Sequence, residues 1–184
     1  MSIPIICIIG KSKSGKTTLM EKLIAELKRR KYRVGTIKHH SHPGFDIDYS
    51  GKDSWRHAQA GSNHVIIAAP DKVAEYWQLD REYSLDELAI HIKNVDIILT
   101  EGYRNVGKPT IEVLRASRSS KLISDIDNLL AVTTDIELNL DVPCFDLNDT
   151  IGLCDYVEEK IIIPKNIFSM QIQTLRFHML RRSN

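Results

Sequence analysis

The segment GKSKSGKT, from Gly10 to Thr17, constrains this chain more than any other stretch. It has the form G-x-x-x-x-G-K-[ST], and its surroundings matter as much as its letters. Before it runs Ile3 to Ile9, a short continuous apolar stretch of the kind that forms a strand buried on both faces. After it, from Lys16 to Arg30, Leu19, Leu23, Ile24 and Leu27 recur at helical spacing among lysines and glutamates. A buried strand, a glycine turn and a helix make a cradle for phosphate. Gly10 and Gly15 permit backbone angles that turn consecutive N–H groups inward, and the helix start adds partial positive charge. Lys16 then reaches β- and γ-phosphates as the catalytic cation, and the Thr17 hydroxyl can ligate Mg²⁺.

The rest of the chain alternates accordingly. YRVGTIKHH (32–40) and HVIIAA (64–69) read as strands, and KVAEYWQL (72–79) as a hairpin partner of the latter across Pro70-Asp71. SLDELAIHIK (84–93) reads as a helix opened by a capping box, Ser84 with Glu87 three residues on. VDIILTEG (95–102), TIEVLRA (110–116) and LLAVTT (129–134) are further strands, and DTIGLCDYVEEK (149–160) a closing helix. The expected class is α/β: a P-loop NTPase-type, mostly parallel sheet flanked by helices, with an antiparallel hairpin addition. A nucleotide-binding domain over 1–163 and a basic, helical extension over 164–184 are expected. Two segments fit the alternation poorly, 39–53 and that tail.

A phosphate loop needs an acidic group near its metal. VDIILTEG offers Asp96 and Glu101, and ligands collect at the carboxyl ends of parallel strands. Asp96 opens its strand and, five residues back at ~3.3 Å each, falls roughly 16 Å short of that edge. Glu101 is therefore the residue assigned to Mg²⁺ or its water shell. The polar stretch 38–57 leaves the carboxyl end of the second strand. Its Asp46 and Asp48 could hold Mg²⁺, directly or through water, or orient an attacking water or a substrate hydroxyl. His39, His40 and His42 are close enough in sequence for a metal site, but no cysteine accompanies them; a solvated or anion-contacting cluster is the commoner outcome. Lys52, Arg56, Arg104, Lys108 and Arg115 are candidate phosphate-binding cations, each of which could equally be a solvated surface group. Asp135, after LLAVTT, could read the donor edge of guanine, although only part of the usual Asn-Lys-x-Asp is present and a turn aspartate would look the same. This favours GTP over ATP.

Composition narrows the function from the other side. With 25 basic and 24 acidic residues in 184, the chain lacks the charge to blanket nucleic acid or an anionic membrane. Its three cysteines show no Cys-x-x-Cys spacing and fit reduced thiols in a cytoplasmic protein. The start MSIPIICIIG has no cationic lead and runs into the glycine motif, so it reads as a strand rather than a secretory leader. No apolar run approaches bilayer length.

Taken in order, GKSKSGKTTL, TIKHHSHPGFDIDYSGKDSWRHAQAG, DIILTEGYRN and KPTIEVLR resemble the molybdopterin-guanine dinucleotide biosynthesis protein B family over roughly residues 3 to 160. The 38–61 block is the specific part. The resemblance implies a homodimeric, Mg²⁺-dependent GTP-binding protein with weak GTPase activity. It would act as an adapter for the molybdopterin guanylyltransferase, with molybdopterin a further candidate partner. By position it puts Gly10, Lys13, Ser14, Gly15, Lys16, Thr17 and Thr18 on phosphates and Mg²⁺, Glu101 at the acidic strand end, and 39–53 in the loop near the phosphates. Two rivals stand beside it: a small-molecule kinase with Asp46 or Asp48 as base, and a non-catalytic metal-delivery adapter using the histidines.

Overall fold

A computed structural model describes residues 3–42 and 44–164; of the helical extension expected over 164–184, all but the first residue lies outside them. The described chain divides into two compact units. One comprises the residues up to His39 together with those from Ala89 on, and the other is His40–Leu88.

The first unit is a parallel sheet of six strands. In chain order they are β1 (Ile5–Ile9), β2 (Val34–Lys38), β5 (Ile97–Glu101), β6 (Thr110–Leu114), β7 (Leu129–Thr134) and β8 (Cys144–Asp146), arranged 2-5-1-6-7-8. All five residues of β1 and of β6 are buried, the signature of central strands covered on both faces. β1 lies between β5 and β6, and the chain crosses from one side of it to the other after β5. The loop after β1 thus opens at the point where strand order reverses, where open α/β sheets bind ligands.

Helix α1 (Lys16–Arg29) buries Leu19, Met20, Leu23 and Leu27 in a core shared with Ile6, Ile8, Leu99, Ile111 and Ala131. Helix α4 (Thr150–Val157) joins that core through Leu153, Cys154 and Val157. Each such aliphatic side chain contributes roughly 1.5–3 kcal/mol of transfer free energy. A π-helical turn, Glu158–Ile162, follows α4 directly, and its Ile162 is buried in the same core. The two helices are also pinned by charge. Arg30 bonds Glu26, Asp155 and Glu158 at 2.6–2.8 Å, and the Tyr32 hydroxyl donates to Glu158. At the far side of the sheet Leu114, Leu129 and Val132 are covered by Leu122, Ile136, Leu138 and Leu140 from connecting segments. Asp96 lies at the amino edge as the strand arithmetic required, accepting from the Arg33 backbone N–H and guanidinium.

The second unit holds helix α2 (Asp53–Gln59) and a separate two-stranded antiparallel sheet, β3 (His64–Ala68) with β4 (Val73–Trp77). The hairpin pairing expected across Pro70-Asp71 is present. Helix α3 (Leu85–Ala89) is shorter than the 84–93 expectation, but its capping box forms as read: the Ser84 N–H donates to Glu87, and the Glu87 N–H to the Ser84 hydroxyl. Neither α2 nor β8 was legible in the sequence, the first because its seven residues bury none, the second because it is three residues long.

Candidate functional site

The loop from Gly10 to Gly15 joins β1 to α1, and its backbone sets the geometry. Gly10 and Gly15 have φ of +149° and +106°, and Lys13 takes φ +61°. A Cβ on Gly10 would lie 2.5 Å from the Val113 carbonyl oxygen and 2.7 Å from Ser14 Oγ. Glycine is needed there because β6 passes directly beneath the loop. No side chain caps α1 and no acidic residue occupies its first turn, so its leading N–H groups and positive dipole end remain available to an anion.

Polar groups gather around this loop. The Lys16 ammonium donates to the carbonyls of Gly10 and Lys11, each at 3.0 Å, and so lies folded over the loop. Burial pulls its pKa below the ordinary lysine value, Glu101 pushes it back up, and Lys38 adds a smaller lowering. Glu101 ends β5 in register with Ile8 of β1 and Lys38 of β2. Its carboxylate accepts from the Thr17 hydroxyl, 3.1 Å to both oxygens, and pairs with Lys38 Nζ at 2.9 Å. Gly102, at φ +102°, then turns the chain with a Cβ position only 2.9 Å from His39 Cβ.

Two buried atoms here lack partners among the described residues, Ser14 Oγ and Arg115 Nε. Arg115 follows the end of β6, and its Nη2 lies 3.5 Å from where a Gly15 Cβ would be, so a second cation flanks the loop. Its cationic character was legible in the sequence, but its place beside Gly15 depends on β6 pairing with β1. Lys13, Thr17 and Thr18 are exposed on the loop and first helical turn. Asp135, just past β7, accepts from the Ala116 N–H at 2.7 Å through Oδ1, tying the loops after β6 and β7 together. The Glu112 carboxylate, buried on β6, accepts from the backbone N–H groups of Ile123 and Ser124, an anchoring role that sequence reading missed.

These residues fit a nucleoside triphosphate with Mg²⁺. Uncapped N–H groups, two orphaned buried polar atoms and flanking cations suit phosphate oxygens. A hydroxyl beside a carboxylate suits a hard divalent ion.

Asp46 and Asp48 belong to the second unit. Asp48 is held by the Ser54 hydroxyl, by the Tyr49 N–H at 2.7 Å and by the Tyr76 hydroxyl at 3.2 Å, and these bonds lower its pKa. His39 closes the first unit and stacks on Tyr103, with ring centroids 4.6 Å apart. His40 spends Nδ1 on the His42 carbonyl at 2.8 Å. Among the described residues no three His, Cys, Asp or Glu side chains stand together as a group that could hold a metal ion.

Residues 5–135 match the family described as molybdopterin guanine dinucleotide synthesis protein B. The chain is 40% identical over 159 residues to the molybdopterin-guanine dinucleotide biosynthesis adapter protein of Haemophilus influenzae, covering 85% of this chain and 88% of that one. It is 36% identical over 164 residues to the Escherichia coli adapter protein of the same name, covering 85% and 93%. A solved structure of molybdopterin-guanine biosynthesis protein B superposes with a TM-score of 0.65 at 25% identity, over 84% of this chain and 98% of that one. That of Bacillus subtilis MobB gives 0.68 at 22% identity, over 86% and 98%, a likeness of fold. With both the matched residues and the relatives spanning most of its length, the chain belongs to the molybdopterin guanine dinucleotide synthesis protein B family.

Proposed function

We propose that this protein is an adapter in molybdopterin guanine dinucleotide biosynthesis that binds GTP with Mg²⁺ in the loop after β1. It hydrolyses the nucleotide slowly and works as a homodimer with the molybdopterin guanylyltransferase. The observation that carries the nucleotide part is the loop itself. Its glycines hold positive φ beside an uncapped helix start, and its Lys16 ammonium rests on two loop carbonyls that a phosphate would replace. The adapter part follows the names of the Haemophilus and Escherichia relatives.

In this reading Lys16 exchanges its carbonyl partners for phosphate oxygens, and the new negative charge offsets the burial that depresses its pKa. Thr17 and Glu101 would hold Mg²⁺, with Lys38 neutralising the carboxylate from the other side. The metal, when bound, supplies charge against the β- and γ-oxygens. Backbone N–H groups from Lys13 to Thr18 orient the terminal phosphate for in-line attack by water. Asp135 has Oδ1 engaged with Ala116, which leaves its other oxygen for the donor edge of guanine. Turnover is slow until a partner or second subunit contributes an arginine against the γ-phosphate.

The test is calorimetric titration with GTP and with ATP, each with Mg²⁺, on wild type and Lys16→Ala, then with the guanylyltransferase added. Tighter binding of GTP, lost in Lys16→Ala, together with heat from complex formation, is expected. Equal affinity in wild type and variant would refute the cradle.

A further inference from the structure

The second unit contains a cleft of about 230 Å³ that the phosphate chemistry does not use. Three pieces of chain wall it: the loop through Asp46 and Asp48, the α2 face carrying Trp55 and Gln59, and the end of β4 from Tyr76 to Gln78. Trp55 and Gln59 are four residues apart and so share one helix face. The walls are tied together before any ligand arrives. The Tyr76 hydroxyl lies 3.2 Å from both Asp48 Oδ2 and the Ser54 carbonyl, joining strand, loop and helix with its one proton. Asp48 is thereby committed to structure. Asp46 is not: its exposed carboxylate bonds no described residue, and the same holds for the side-chain amides of Gln59 and Gln78.

The lining has a definite chemical preference. It holds two half-buried indoles, a carboxylate and several amides, but no lysine or arginine, so a phosphate or other anion gains nothing there. A flat ring gains stacking area on an indole. A ring presenting two adjacent N–H donors also matches a carboxylate's two oxygens, and carbonyl or ring-nitrogen acceptors beside them suit amide N–H groups. That set of donors and acceptors is the 2-amino-4-oxopyrimidine edge. Adenine lacks the donor pair. The volume admits one bicyclic ring rather than a larger ligand.

We propose that this cleft binds the 2-amino-4-oxopyrimidine edge of a bicyclic heteroaromatic ring, with Asp46 accepting from the donor pair and Trp55 stacking on the ring. A pterin and a guanine base share this edge, and choosing between these two sources rests on the adapter role proposed above.

Both tryptophans of the chain, Trp55 and Trp77, line the cleft, so intrinsic fluorescence reports on it directly. The whole protein is titrated with neopterin, guanosine and adenosine, none of which carries phosphate to engage the loop after β1. Saturable quenching by neopterin or guanosine, with adenosine at least about tenfold weaker, is expected. Quenching by neopterin alone assigns the pterin, by guanosine alone the base, and by both the shared edge. Asp46→Asn, an exposed substitution, weakens the bound ring about tenfold or more. Trp55→Phe weakens it less and leaves Trp77 as reporter. No saturable quenching by neopterin or guanosine, equal quenching by adenosine, or undiminished affinity in Asp46→Asn overturns the proposal. Repeating the titration in Lys16→Ala separates the two ideas: loss of GTP binding with ring binding intact leaves this site standing.

Discussion

Replacing Gly10 by alanine tests the packing of the loop after β1 through stability alone, with Gly15→Ala as its control. Both glycines hold positive φ in the same loop, +149° and +106°, so alanine at either costs about 1–3 kcal/mol in backbone strain. They differ in what the new methyl meets. At Gly15 it finds only Arg115 Nη2 at 3.5 Å, an ordinary contact with the flexible end of a long side chain. At Gly10 it lies 2.5 Å from the Val113 carbonyl oxygen and 2.7 Å from Ser14 Oγ. Ser14 can turn its hydroxyl away. Val113 cannot move, because β6 is paired on both sides, to β1 and to β7. Crowding of this kind adds about 1–3 kcal/mol. At about 2–4 °C per kcal/mol for a chain of this size, Gly10→Ala should melt roughly 2–12 °C below Gly15→Ala. Thermal unfolding followed by circular dichroism, with urea midpoints as a check, measures the difference. If Gly10→Ala melts no lower than Gly15→Ala, β6 does not press on the loop as described, and the argument fails.

Lys16→Ala should lower triphosphate affinity about a hundredfold, the loss of charge-assisted bonds, with little change in melting temperature. Arg115→Ala should weaken the same binding about tenfold, measured in the same calorimeter, because it removes a guanidinium from the flank of Gly15. Acid should loosen the α1–α4 contact. The Arg29 and Arg30 guanidiniums hold the Glu26 carboxyl down at about 2, from an ordinary 4.5, and Tyr32 with Arg30 lowers Glu158. Folded values below unfolded ones mean stability that is present above about pH 4.5 and lost as pH falls toward 2. Urea midpoints at pH 7, 4 and 3 should decline accordingly, and Arg30→Met should flatten that decline; an unaltered slope would show that the cluster contributes nothing. Native protein at pH 8 should label one thiol with iodoacetamide and unfolded protein three. Cys144 is exposed, Cys7 is buried, and burial pushes the Cys154 thiol up to about 12; rapid labelling of two or three thiols in native protein would contradict this.

What was legible in the sequence was whatever depends on neighbours along the chain. The turn from β1 into α1 needs only two glycines between a strand and a helix, set by local φ and backbone direction. The Ser84–Glu87 box is one helical turn, and the separation of Glu101 from Asp96 follows from the rise of a strand. What tertiary structure decided is who stands next to whom across strands. Parallel pairing of β1 with β5 and β6 brings Glu101 to Thr17, 84 positions away in the chain, and Arg115 to Gly15, from an equally remote segment. It also gives Asp135 the Ala116 N–H to hold and gives Glu112 its place under the 123–124 segment. In the second unit, Asp46 and Asp48 look equivalent on the page, two residues apart on one polar stretch. Only the arrival of Tyr76 from β4 and Ser54 from α2 commits Asp48 and leaves Asp46 open. Hydrogen-bond partners of this kind are fixed by strand register and helix placement, which local composition does not encode.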